Sequence, residues 1–319
     1  MIQEELKVVW VGFHDEGRLA LQSILERGYN VAAILTLNSV EAKKRSGVSN
    51  FSYLAEKYTV PIYEISHVNS LFAKKLLAEI KPDVLCVIGW GQILDSETLS
   101  FARKITMGAH ASLLPKNRGS APINWSIIRG ESETGNTLME LNSGVDTGGI
   151  IAQRKFDISL FDSCRTLYGK VAESNASMLI EALASIVNST LKVVPQTSNQ
   201  VDILPRRKPS DGRINWQKTS KQLYDFVRAL TVPYPGAFSF VDGVQVIIWE
   251  ASWSPISISV GKGGEISGFR YGFENSQCAI EVVCGTGILS IHKVEIESEG
   301  LLWGEDLIER FKYIEKFDG

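Results

Sequence analysis

Two stretches carry the residue types that proton chemistry needs. One is Gly108-Ala-His110-Ala-Ser-Leu-Leu-Pro-Lys-Asn-Arg118-Gly119; the other, further along, is Gly144-Val145-Asp146-Thr-Gly148. An imidazole titrates near neutral pH, and a nearby carboxylate fixes its tautomer and favours its charged form. Such a pair accepts a proton from an attacking amine and steadies a developing oxyanion. A capped strand end and a Gly-Asp turn would explain His110 alone. The combined pattern is what argues for chemistry.

Other candidates lie upstream. The turn Gly12-Phe13-His14-Asp15-Glu-Gly17 is not G-x-G-x-x-G, so a nicotinamide dinucleotide is not indicated. Its backbone N–H groups could still approach a phosphate. His14 and Asp15 either contact a ligand, or Asp15 caps a helix and His14 is solvated. Trp90 is either surface packing or one wall of a slot, in which backbone groups of Gln92, Ile93 and Leu94 meet a flat heterocycle. Asn124 and Trp125 open an amphipathic helix. Arg206 and Arg207 either pair with phosphates or are solvated. His67 and His292 read as structural.

The elements that must position these residues alternate along the chain. Residues 7–12, 30–36, 84–88 and 105–110 read as buried strands, and 17–27, 51–58 and 70–80 as helices. This rhythm predicts an α/β domain with a mainly parallel, twisted sheet covered on both faces. Ligands then bind beyond the carboxyl ends of strands, so Gly12, the Gly89–Gly91 turn and His110 should line one crevice. A helix over 166–188 closes this domain, and 193–203 reads as a polar linker. Residue 204 is the expected boundary, giving domains 1–204 and 205–319. The second should hold a helix at 221–230 and five short strands: 237–240, 244–250, 264–267, 279–283 and 289–294. That pattern predicts a small OB-like β-barrel.

Composition narrows the function. The 319 residues hold 33 Lys and Arg against 36 Asp and Glu, a net charge of −3. A large nucleic-acid footprint would normally show as a basic balance, so nucleic acid is not expected as a partner. Four cysteines without a C-x-x-C pair argue against structural zinc, and Cys86 reads as a core residue. An acidic start leading into a strand, with no apolar run of membrane length, predicts a cytoplasmic protein without a membrane anchor.

The sequence resembles the 10-formyltetrahydrofolate-dependent formyltransferases. The resemblance rests on residues 13–17, 112–119, 121–125, 130–135, 144–148, 206–211 and 232–238. Phe13-His-Asp-Glu-Gly17 and Val232-Pro-Tyr-Pro-Gly-Ala-Phe238 are more similar to the nucleotide-amino-sugar N-formyltransferases and the formyltransferase half of ArnA than to the tRNA enzymes. It implies a Rossmann-like domain, a C-terminal barrel, and attack of an amine on the formyl carbon of 10-formyltetrahydrofolate, with no metal. It further implies a sugar-nucleotide acceptor, a homodimer and a place in lipopolysaccharide biosynthesis.

By the resemblance His110 is the general acid/base and Asp146 its partner. The folate sits against Trp90, Gln92, Ile93, Leu94, Ser120 and the loop Asn142, Ser143, Gly144, Val145. The sugar nucleotide uses Gly12, Phe13, His14, Asp15, Arg118 and Asn124. Two positions depart. Gly108 stands where the family carries an Asn whose amide helps hold the oxyanion, and losing one such donor costs about 2.7–4 kcal/mol. Ser120 stands where ArnA has arginine. Gly108 leaves open a slower enzyme, another donor in its place, or a pocket that binds without transfer. Methionyl-tRNA formylation is the other enzymatic alternative; the tRNA enzymes' basic insertion after the second strand is reduced here to Lys43-Lys-Arg45.

Overall fold

The computed structural model describes residues 6–197, 203–254 and 261–318. The polypeptide divides into two compact units. The first comprises residues 1–122, 133–157 and 167–205; the second takes 123–132, 158–166 and 206–319. The second unit thus recruits two short segments from before residue 204.

The first unit is built on seven strands: β1 (Val8–Val11), β2 (Val31–Leu37), β3 (Ile62–Ile65), β4 (Val84–Val87), β5 (Ile105–His110), β6 (Glu133–Glu140) and β7 (Ile150–Asp157). They lie in the order β3-β2-β1-β4-β5-β6-β7. The pairings among β1 to β5 are parallel. Those of β5 with β6 and of β6 with β7 are antiparallel. The helices up to residue 187 are α1 (Arg18–Glu26), α2 (Ser39–Ala42), α3 (Ser52–Tyr58), α4 (Leu71–Ile80), α5 (Ser96–Ser100), α6 (Pro122–Ile128) and α7 (Cys164–Val187); α6 from Ile123 onward and the first three residues of α7 belong to the second unit, the rest to the first.

Strand periodicity explains the layering. In β1, Val8 and Trp10 join Leu21 and Ile24 of α1 and Leu179 and Leu183 of α7 in one core. Val9 and Val11 face the opposite way and join Ala73 and Leu77 of α4 in a second. Both faces are therefore buried, which is why β1, β2 and β4 read as continuous apolar runs. The strand order reverses between β1 and β4. A doubly wound sheet opens its ligand crevice at that place, beyond the strand carboxyl ends.

Several elements differ from expectation, among them β6, β7 and the tract that follows α7. Strands β6 and β7 carry polar residues with no apolar alternation, yet Asn136 and Thr137 are fully buried in β6. The Asn136 amide nitrogen donates to Ser174 Oγ and Asn175 Oδ1 on α7, which replaces the donor half of the bonding to water that burial removes; its Oδ1 has no partner among the described residues. The tract read as a linker is also ordered by backbone pairing, because Val194 exchanges N–H···O bonds with Ile150. Residues 198–202 of that tract lie outside the described residues.

The second unit contains α8 (Ser220–Leu230), then β8 (Ala237–Val241), β9 (Val244–Trp253), β10 (Ile266–Arg270), β11 (Ala279–Val283), β12 (Ile288–Ile296), β13 (Gly300–Trp303) and α9 (Gly304–Phe311). Thr219 caps α8, and with Gln222 it forms a reciprocal capping box. The antiparallel sheet runs β10-β11-β12-β9-β8, with β13 on β12. The C-terminal segment lies between its two edges through single bridges, Phe240 to Asp318 and Glu265 to Lys316. This gives the expected barrel-like curl, with β13 and α9 added to it.

Candidate active site

The candidate site collects at the carboxyl ends of β1, β4 and β5. His110 closes β5 and is 8% exposed. Its Nε2 lies 2.7 Å from the Asn117 carbonyl. A carbonyl only accepts, so Nε2 carries the proton and donates. Its Nδ1 lies 3.5 Å from Asp146 Oδ2. That spacing is an ion-pair distance rather than a closed hydrogen bond, and such catalytic contacts often tighten only when substrate binds.

Asp146 reaches this place because of the β6–β7 loop. Its backbone is left-handed, with φ +52°. Its Oδ2 accepts the Gly119 N–H at 2.8 Å. Gln196 secures the same loop. Its Nε2 donates to the carbonyls of Asp146 (2.9 Å) and Gly148 (2.7 Å). Its Oε1 accepts from Arg118 Nε and Nη2 at 3.1 and 2.6 Å. Gln196 is a site residue that the sequence reading missed. It stands in the aperiodic polar tract taken for a linker, and nothing in its local pattern marks it.

Gly108 points to the same side of β5 as His110, two residues earlier. The space beside it is not empty. A Cβ added there would meet Leu141 Cδ2 at 2.6 Å, and Cδ1 and Cγ at 3.0 Å. Leu141 packs against the core that includes Val87 and Leu94. An apolar side chain therefore occupies the position next to His110.

The β4 end forms a separate lip. Gln92 is folded back, with its amide donating to Ser66 O and its oxygen accepting from Val68 N, both at 2.9 Å. Leu94 is buried and Ile93 is 59% exposed. Trp90 packs edge-on against Phe13, with ring centroids 5.7 Å apart. At Gly91 an added Cβ would meet only Arg45 Nη1, at 3.9 Å, so the backbone is open there. An open cavity of about 730 Å³ lies alongside, lined by Gly91, Gln92 and Ile93 together with Arg45, His67 and Asn69. In the β6–β7 loop Asn142, Ser143 and Gly144 are exposed and Val145 is half-buried. Asn142 Oδ1 accepts from Gly144 N and Thr147 Oγ1. Ser120 is tied by its backbone N–H to Leu204 O.

The first turn is arranged differently from either reading of the sequence. Gly12 N–H donates to Leu35 O, Phe13 and His14 N–H to Gly89 O, and Asp15 N–H to Gly47 O. The turn's N–H groups are thus spent inside the protein and not aimed at a phosphate. His14, not Asp15, is the helix cap, accepting from Glu16 N. It sits beneath Gly47, where an added Cβ would meet its Nε2 at 2.0 Å. Asp15 is exposed and accepts from Arg18 and Ser49.

Asn124 lies in the second unit and is fully buried; its amide nitrogen donates to Ala229 O, and its Oδ1 has no partner among the described residues. Arg207 packs over the Trp125 and Phe226 rings rather than standing in solvent. His292 is fixed by Ser252 and Cys278 O. The four cysteines are free and buried, and burial pushes the Cys86 thiol up to about 12, which removes it as a nucleophile. Among the described residues no group of three His, Cys, Asp or Glu side chains converges as a metal site, and no helix is long and apolar enough to cross a membrane.

Comparisons with known proteins agree with this architecture. HypX from Aquifex aeolicus in complex with tetrahydrofolic acid is 19% identical with a TM-score of 0.65; the match covers 96% of this chain and 47% of HypX. The chain thus spans about half the length of HypX. An N-formyltransferase from Helicobacter canadensis, in complex with folinic acid and dTDP-3-aminofucose, is 20% identical over 90% of this chain and 98% of its own, with a TM-score of 0.67. The methionyl-tRNA formyltransferase from Clostridium thermocellum is 17% identical over 88% and 99%, with a TM-score of 0.58. At these identities the likeness establishes the fold. The sequence profile of the formyl transferase family matches residues 21–183, and that of the formyl transferase C-terminal domain matches 206–312. With the profiles spanning both units, the chain belongs to the formyl transferase family.

Proposed function

We propose that this chain transfers a formyl group from 10-formyltetrahydrofolate to the amine of a nucleotide-linked amino sugar. The observation that carries the reading is His110 at the end of β5 with Nδ1 facing Asp146. The amine nitrogen bonds to the formyl carbon of the donor, the bond from that carbon to the folate nitrogen breaks, and tetrahydrofolate leaves with a proton on that nitrogen. The open backbone at Gly91 and the adjoining cavity suit a flat heterocycle with an extended tail. His110, anchored through Nε2, takes up the proton released by the attacking amine at Nδ1. Asp146 steadies the charge that results. Most of the acceleration then comes from positioning and electrostatics.

A sugar acceptor is favoured over tRNA by the net charge of −3, since tRNA contacts need a basic surface. The Helicobacter canadensis enzyme, solved with dTDP-3-aminofucose, also supports it through a TM-score of 0.67 against 0.58 for the methionyl-tRNA enzyme. On the acceptor side Asp15 is the exposed member of the first turn.

A second reading, ligand binding without transfer, has one observation in its favour: Leu141 fills the space beside Gly108, where an oxyanion donor would stand. Release of tetrahydrofolate from 10-formyltetrahydrofolate, measured against UDP-, dTDP- and GDP-linked amino sugars, separates the two. Turnover with one sugar supports transfer. Saturable folate binding with no turnover on any amine supports the second reading.

A further inference from the structure

Asp146 adopts a backbone conformation that residues other than glycine rarely hold. Such a residue keeps its shape only where its surroundings over-determine it. Its carboxylate is held by one N–H, from Gly119. Its own carbonyl and that of Gly148, the two ends of the turn, converge on one amide, Gln196 Nε2. The orientation of that amide is forced. Two carbonyls can only accept, so they face the NH₂; the Arg118 guanidinium can only donate, so it faces the oxygen. Arg118 is itself buried and immediately precedes Gly119. Gln196 therefore closes a ring: Asp146 carboxylate to Gly119, Gly119 to Arg118 through the chain, Arg118 to Gln196, and Gln196 back to the Asp146 carbonyl.

We infer that Gln196 is a positioning residue for formyl transfer: it fixes the Asp146 turn against Arg118 so that the carboxylate faces His110 Nδ1. This rests on the proposed function for its kinetic part and on the hydrogen-bond ring alone for its structural part. Gln196 does not touch the reacting atoms. It acts through Asp146.

Two variants distinguish this role from simple loss of packing. Gln196→Ala removes every bond of the ring at that residue. Gln196→Glu keeps the acceptor for Arg118 but turns lone pairs toward two carbonyls, a repulsion that protonation of the new carboxyl relieves. Misplacing a catalytic group by an ångström lowers rate on the order of a hundredfold. Gln196→Ala is expected to lower kcat by about tenfold to a hundredfold. For Gln196→Glu, the ratio of its kcat to that of the parent should rise as pH falls, whereas the Ala ratio stays flat. In both variants amide hydrogen exchange should accelerate at Gly119 and across 142–149, with the melting temperature of the rest of the fold retained.

Unchanged exchange at Gly119 and 142–149 overturns the ring. Accelerated exchange with parental kcat, or a Glu ratio independent of pH, overturns the positioning role. If the parent forms no formylated product on any amine, the proposed function fails instead, and the exchange data still decide whether Gln196 holds the turn.

Discussion

Two places on the same side of β5, two residues apart, are built in opposite ways. Around His110 the polar groups are anchored: the ring by Asn117 through Nε2, Asp146, which faces Nδ1, by Gly119, and its turn by Gln196. At Gly108 there is no side chain, and the apolar end of Leu141 fills the space. The first place retains what orients a proton acceptor. The second lacks what would bind a developing negative oxygen. The comparison teaches that positioning and charge stabilisation are separable in this fold, and that only positioning is visible in the side chains around β5.

The largest expected effect breaks the wired half. His110→Ala should lower formyl transfer about a hundred- to ten-thousandfold, the range typical of general acid–base groups. The fold should remain intact by circular dichroism, and steady-state assays with the acceptor sugar check the rate. Asp146→Asn keeps the Gly119 contact through its side-chain oxygen but removes the charge opposite Nδ1. We expect a loss at the lower end of that range, with the pH profile of kcat displaced relative to the parent; an unmoved profile would separate Asp146 from the proton step.

The next effect sharpens the dry half. Gly108→Asn alone forces a side chain into Leu141 and should destabilise by about 1–3 kcal/mol, as overpacking does. Gly108→Asn combined with Leu141→Ala makes room for the amide. That double variant should exceed Leu141→Ala alone in kcat by up to about a hundred- to a thousandfold, because one oxyanion donor is worth that much. Equal rates would mean that charge is already stabilised elsewhere.

The smallest effect lies at the lip of the cavity. Lys74 Nζ donates to the Asp95 carboxylate at 2.7 Å, and Asp95 also caps α5 through Thr98 N. Chiefly through Lys74, the Asp95 carboxyl is held down to about 2 from an ordinary 3.8. The carboxylate form is favoured by folding, so its contribution is complete above that ordinary value and disappears as pH falls through about 2. Asp95→Asn should therefore lower the melting temperature slightly at neutral pH, with the difference closing on acidification through that window. At neutral pH formyl transfer should change less than in any variant above, as read in the same steady-state assay.

His110 and Asp146 were legible because their glycine-bounded turns carry a local signature, and β1, β2, β4 and β5 because strands buried on both faces are continuously apolar. Strands β6 and β7 were not, since Asn136 and Thr137 are buried through hydrogen bonds that only tertiary structure supplies. Gln196 was hidden for the same reason: its partners lie 48 to 78 positions away. Gly108 was legible only as a glycine two residues before His110. Its filling by Leu141 was not, because the antiparallel pairing of β5 with β6 creates that contact. The first turn misled in the other direction. Its glycines suggest a phosphate loop, yet an added Cβ at Gly12 would meet Ile88 O at 2.5 Å, so that glycine serves close packing of β1 on β4.

The central claim is that the His110–Asp146 pair transfers a formyl group to an amino sugar. The most direct test incubates the parent and His110→Ala with 10-formyltetrahydrofolate and the panel of nucleotide-linked amino sugars, and follows the acceptor by mass spectrometry. One acceptor should gain a formyl group with the parent, and this gain should be lost with His110→Ala although folate still binds. Equal formylation by both proteins, or none by the parent on any acceptor, would contradict it.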